Sequence, residues 1–214
     1  MEDNTLLDVY LDELKDIWSA NEQMFEVVSE MVDAAGNRRL GELLKRITMR
    51  LEARNRTIRD LLTRHGVEEG PIDQSRAMVG LAEQAREETL EKPLTDAARD
   101  VVIIAQVQRM AHYCIAGYGT ARALAEALAL PADAQTLSTD LDTVYASDEL
   151  LTHLAETVIN PSSADEDEDT EDEDEEDDAV GILDESDEEK NGYDDGDLDD
   201  EDDEEEDEDE GRMK

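Results

Sequence analysis

An all-α fold is what this sequence predicts, and three observations carry that expectation. Apolar side chains recur at helical spacing through four long stretches between residues 4 and 158. No stretch shows the period-two alternation of a half-buried strand. The acidic excess is concentrated near one end: residues 1–163 hold 29 acidic and 16 basic side chains, whereas residues 164–214 hold 33 and 3. The expected organisation is a four-helix bundle over 1–163, with a short extra helix in its crossover, and a disordered polyacidic tail over 164–214.

The first helix is expected over about 4–34, where Leu7, Tyr10, Leu14, Ile17, Asn21, Met24, Val28 and Met31 form one stripe with Asn21 as its polar member. Asn4 or Thr5 can cap its start, and Gly36 with Asn37 can end it. A second helix, about 38–65, follows the stripe Leu40, Leu44, Ile47, Leu51, Arg54, Ile58 and Leu61, which Arg54 interrupts, and stops at His65-Gly66. The linker VEEGPIDQS leads to a short helix of about 74–91, broken by Lys92-Pro93. Thr95 caps a long helix over 96–128, with Val101, Ile104, Gln108, Ala111, Ile115 and Tyr118 as its seam. The last helix, about 132–158, turns Leu137, Leu141, Val144, Leu151, Leu154 and Val158 inward, and Asn160-Pro161-Ser162-Ser163 closes the domain. Two helices, a long crossover and two more helices make the connectivity of a ferritin-like bundle.

Composition narrows the partners. A net charge of −43 weighs against duplex DNA and anionic membranes, because both would be repelled. The start MEDNTLLDVYLDELKDIW has neither a basic n-region nor an unbroken apolar core, so a cytoplasmic protein is expected. Cys114 is the only cysteine, which excludes an intrachain disulfide and a thiolate cluster; a small core hydrophobe is the expected role. In 164–214 the few apolar side chains cannot offset chain entropy and self-repulsion. Its acidic runs suit basic proteins or divalent cations, held weakly and with strong salt dependence. A solvating extension is the plainer alternative. Between the runs, Val180, Gly181, Ile182 and Leu183 form an apolar island that suits docking into a groove or beside a strand, and its acidic flank is similar to a SUMO-interaction motif.

The stretch AHYCIAGYGTARA in the long helix resembles the VEHYEIAGYGTARA signature of the YciE/YciF family of ferritin-like bundle proteins. LLDVYLDELKDIWSANEQM in helix one, AMVGL in the short helix and TDLDTVYASDELLTHLAE in the last helix are similar to family segments in the same order, so the resemblance spans about 5–158. It implies a homodimer, a stress-associated role and inward carboxylates that hold a metal pair. At the family's acidic positions this chain has Asn21, Ala53, Val79, Ala111, Cys114 and Val144, the last preceded by Thr143. A one-residue slip would place Glu22 at the position of Asn21, but Asn21 fits the apolar stripe and Glu22 does not.

The expectation is therefore a bundle with an apolar interior in place of a dimetal centre, with no cofactor and no catalytic residues. The function expected is that of a non-catalytic interaction or stress-associated protein. The competing expectation is a di-iron oxidase or iron-handling protein with a residual site. Its weak candidates are Glu52 and Asp142, which remain acidic at family positions, and Glu149, His153 and Glu156, spaced i, i+4, i+7 on the last helix. His112, beside the signature, is expected to be a satisfied core histidine, and His65 a favourable partner of a helix C-terminus.

Overall fold

The computed structural model describes residues 5–68, 70 and 73–164; among them there are helices and turns and no strand. The acidic runs and the Val180–Leu183 island lie outside the described residues, as does Asn4. Helix α1 spans Leu6–Ala34, α2 Arg38–Arg64, α3 Arg76–Arg86, α4 Asp96–Ala127 and α5 Pro131–Leu154. Single π-helical turns extend α3 over Glu87–Glu91 and α5 over Ala155–Ile159.

Local chemistry sets these boundaries. Thr5 Oγ1 accepts from the Asp8 amide while Asp8 Oδ2 accepts from the Thr5 amide, a reciprocal cap at the start of α1. Asn37 Oδ1 caps α2 through the Arg39 amide at 2.9 Å, so this residue starts the second helix as well as following the first. Thr95 Oγ1 accepts from the Ala98 amide at 3.2 Å, as the sequence predicts. The turn Glu87–Glu91 ends where Lys92 becomes extended ahead of Pro93. The last helix runs past its expected end at about 158, because helical backbone continues over 160–164. The wider π turn before Pro161 eases its ring past the carbonyls behind it, and Ser163 Oγ reaches back to the Ala97 carbonyl at 3.2 Å.

Cross-contacts fix the topology. Tyr10 meets His65 and Trp18 meets Arg59, so α1 and α2 are antiparallel. Asn21 pairs with Tyr118 and Gly36 with Asp100, which makes α1 and α4 antiparallel too. Arg50 meets Ser147 across α2 and α5, and Gln108 meets Asp148 across α4 and α5. Chain entering at the His65 end and leaving at the Asp100 end must travel the length of the bundle, and α3 lies in that crossover. It is tied down by Ser75, whose amide donates to Ser19 Oγ at 2.9 Å and whose hydroxyl pairs with Tyr113 Oη at 2.9 Å. At its far end Arg86 forks onto Glu30.

The stripes of α1 and α2 are buried as expected, except that Leu7, in the first turn of α1, is exposed. The seam of α4 is wider and partly rotated from the expected one: Ile104, Ala111 and Tyr118 are buried as expected, together with Ile103, Val107, Met110, Cys114, Ala121 and Ala125, whereas Val101, Gln108 and Ile115 are half-buried. Small residues mark the true seam, because α4 packs closely on α1 as well as on α5. A Cβ at Gly117 would lie 3.0 Å from Ile17 Cγ1, so the glycine permits that approach.

Candidate functional site

Where the four long helices come together, the interior is polar. Asn21 from α1 is fully buried and donates from Nδ2 to Tyr118 Oη of α4 at 2.9 Å. Its Oδ1 lies 3.6 Å from the Cys114 thiol. From α2, the Arg54 side chain turns inward, 4% exposed, and its Nη1 donates to Thr143 Oγ1 of α5 at 3.3 Å. One turn earlier Arg50 donates to Ser147 Oγ at 2.8 Å. Among the described residues, Arg54 Nε and Asp140 Oδ2 have no hydrogen-bond partner.

Burial governs the protonation of this layer. It pushes the Cys114 thiol up to about 12 and the Tyr118 phenol well above its ordinary value, so both are neutral at pH 7. Burial also raises the Asp140 carboxyl to about 6, although the Arg54 charge opposes the shift. The layer therefore holds a permanent buried cation, one carboxylate whose charge is costly, and neutral hydroxyl, thiol and amide groups.

A second buried cluster closes one end of the bundle. Asp133, in the first turn of α5 and 3% exposed, accepts from Tyr10 Oη at 3.1 Å and from Arg64, and its Oδ2 lies 2.6 Å from His65 Nε2. Burial alone would raise this carboxyl, but the hydrogen bonds from His65, Tyr10 and Arg64 outweigh burial and hold it below its ordinary value. The cluster ties α1, α2 and α5 together. Tyr10 and His65 are visible in sequence as a stripe member and a helix end, but Asp133 is 123 residues from Tyr10 and has no local signal.

The structure disperses the positions singled out in sequence. Asn21, Ala111, Cys114 and Val144 are buried, from three helices. Ala53 is exposed, and its neighbour Arg54 is the residue that enters the interior from α2; Val79 is half-buried on α3. Glu52, Asp142, Glu149, His153 and Glu156 are all exposed, and the π turn that begins at Ala155 takes Glu156 out of the α-helical register it would share with His153. His112 is not a core histidine: its side chain is 62% exposed, with Nε2 3.4 Å from Asp148 Oδ2. Its place in the signature hides the fact that it lies off the buried seam. Among the described residues no three His, Cys, Asp or Glu side chains gather as a metal cluster.

A metal pair would need several inward carboxylates; among the described residues this layer presents one, Asp140, beside the Arg54 guanidinium. No helix among the described residues is long and apolar enough to cross a membrane.

Four long antiparallel helices joined by a lengthwise crossover define a four-helix-bundle protein of crossover type. The chain belongs to the family described as "Domain of unknown function (DUF892)", which matches residues 5–164. It is similar to Protein YciF of Escherichia coli K12, 30% identical over 156 residues that cover 73% of this chain and 93% of that protein. Among solved structures, that of the E. coli stress protein YciF superposes with a TM-score of 0.69 at 29% identity, over 74% of this chain and 99% of that one. YcfI from Rhodopseudomonas palustris superposes with a TM-score of 0.66 at 28% identity, over 70% and 94%.

Proposed function

We propose that this protein is a non-catalytic, stress-associated bundle of the ferritin-like kind, acting in the cytoplasm as a homodimer and binding basic proteins or divalent cations weakly through its acidic residues 164–214. One observation carries the non-catalytic reading: the interior layer of Asn21, Arg54, Cys114 and Tyr118 combines a buried cation with groups that are neutral at pH 7. Cys114 and Tyr118 stay protonated at pH 7 and so are poor nucleophiles, and the one carboxylate of the layer, Asp140, faces the Arg54 charge. The stress association rests on the likeness to the E. coli stress protein. The binding role rests on charge alone, 33 acidic side chains against 3 basic in 164–214.

Calorimetric titration of the full chain with calcium, and anaerobically with iron(II), tests this reading. Weak binding of several ions that fades as ionic strength rises, with an unchanged melting temperature, is the expected result. Tight stoichiometric iron binding that raises the melting temperature, with oxygen consumed on exposure to air, would replace it with the iron-oxidase reading.

A further inference from the structure

Along their outer edge, α1 and α2 leave an open groove of about 580 Å³. The two helices are antiparallel with Trp18 level with Arg59, so residues later in α1 stand opposite residues earlier in α2. Glu26 and Glu52 therefore fall at one end of the groove, and Arg56 and Arg59 at the other. Along the helix axis Glu52 lies about 6 Å from Arg56 and about 10 Å from Arg59. Glu22, near the middle, already accepts from Trp18 Nε1 at 2.8 Å. Phe25, half-buried, supplies an apolar wall beside the acidic end.

The groups at both ends are short of partners. Among the described residues Glu52, Arg56 and Arg59 make no ion pair. Glu26 has only Arg86, which is 3.9 Å away and already forked onto Glu30. Arg59 is held over the Trp18 ring, 5.3 Å from its centre, and its buried Nε has no hydrogen-bond partner. Between the two ends stands Asn55, 8% exposed, whose Oδ1 is also without a partner. Folded proteins leave few buried polar atoms unpaired, and here two of opposite kind, a donor and an acceptor, belong to residues of one groove.

We propose that this groove binds a zwitterionic short peptide, two or three residues long with both ends free. Its ammonium group sits between Glu26 and Glu52, its terminal carboxylate on Arg56 and Arg59, and an apolar side chain on Phe25. An extended chain of two or three residues spans roughly 7–10 Å, which matches the separation of the charged ends. Asn55 faces the peptide bond: turning its amide about χ2 presents Oδ1 to the peptide N–H or Nδ2 to the peptide carbonyl. A purely cationic ligand would meet Arg56 and Arg59, and a purely anionic one Glu26 and Glu52, so the layout discriminates against both. A ligand of zero net charge gains little from the field of acidic residues 164–214, so this binding can fail while the role proposed for them stands.

Trp18 is the chain's only tryptophan, and its contacts with Arg59 and Glu22 make its fluorescence a reporter of the groove. The full chain is titrated with the dipeptide leucyl-alanine, with its N-acetyl form and with its C-terminal amide. The free dipeptide is expected to shift Trp18 emission saturably, and blocking either end is expected to weaken binding several-fold. Glu52→Gln and Arg56→Gln change exposed side chains and keep the fold. Glu52→Gln should weaken the free dipeptide but not the N-acetyl form, and Arg56→Gln the free dipeptide but not the amide. Trp18 emission that does not respond, calorimetric heat without a Trp18 response, or equal affinity for blocked and free peptides would each overturn the proposal.

Discussion

Asn21 Nδ2 donates to Tyr118 Oη at 2.9 Å, and this bond joins α1 to α4 inside the bundle, where neither group meets water. Tyr118→Phe removes the acceptor and leaves a buried amide donor unpaired, so a loss of about 1–3 kcal/mol is expected. Asn21→Leu together with Tyr118→Phe should cost less than the sum of the single changes, because both polar partners then leave together. Urea denaturation of the four proteins measures this coupling; additive losses would show that the bond carries none.

Two aspartates should give stability opposite dependences on pH. Asp133 is held below its ordinary value of 3.8, so its contribution is present above that value and is lost as pH falls through the lower folded value. Asp140 is raised from 3.8 to about 6, so the folded state binds the extra proton and stability declines as pH rises between those values. Asp133→Asn should cost about 2–4 kcal/mol at neutral pH, because Arg64 and His65 lose a buried charged partner. Asp140→Asn should remove the decline between about pH 4 and 6. Urea midpoints measured from pH 3 to 8 distinguish the two slopes, and an unaltered profile in either variant would contradict its assignment.

Cys114 should be nearly inert in the folded protein. It is 2% exposed and its thiol is pushed up to about 12, so both access and thiolate formation are suppressed. Reaction with an aromatic disulfide at pH 8 is expected on the order of 100-fold more slowly than for the same thiol in denaturant, at a rate set by opening of the bundle. Prompt labelling of native protein would show that the seam of α4 opens readily.

Gly66 and Ala129 occupy equivalent left-handed positions after α2 and α4, with φ of 78° and 55°. In each turn the following residue donates back to a carbonyl five positions earlier: Val67 to Leu62 at 3.1 Å and Leu130 to Ala125 at 2.9 Å. Ala129→Gly relieves the strain of a side chain in that region and should stabilise by about 0.5–1 kcal/mol. Gly66→Ala should destabilise by about 1 kcal/mol; no heavy atom lies within 4 Å of the added Cβ, so the cost is conformational. Melting temperatures that shift in the same direction for both variants would contradict this reading.

Helix content, order and most boundaries were legible in the amino-acid sequence because they rest on local chemistry. Thr95 caps α4 through an amide three residues away, Lys92-Pro93 ends the crossover helix, and the stripe from Leu40 to Leu61 is buried along its whole length. Asn21 was also readable, since one polar residue in an apolar stripe must face a partner. Tertiary packing alone decided which partner, and it decided the rest of the interior. Ala53 and Arg54 are neighbours in sequence, yet only Arg54 enters the bundle, because rotation about the helix axis is set by the helices packed against it. The α4 seam shifted for the same reason: Cys114, Ala121 and Ala125 are too small to dominate a hydrophobic pattern but are what close packing requires. Asp133 meets Tyr10 and His65 across chain separations of 123 and 68 residues. No local pattern encodes such a meeting, because those side chains become neighbours only when the helix ends converge.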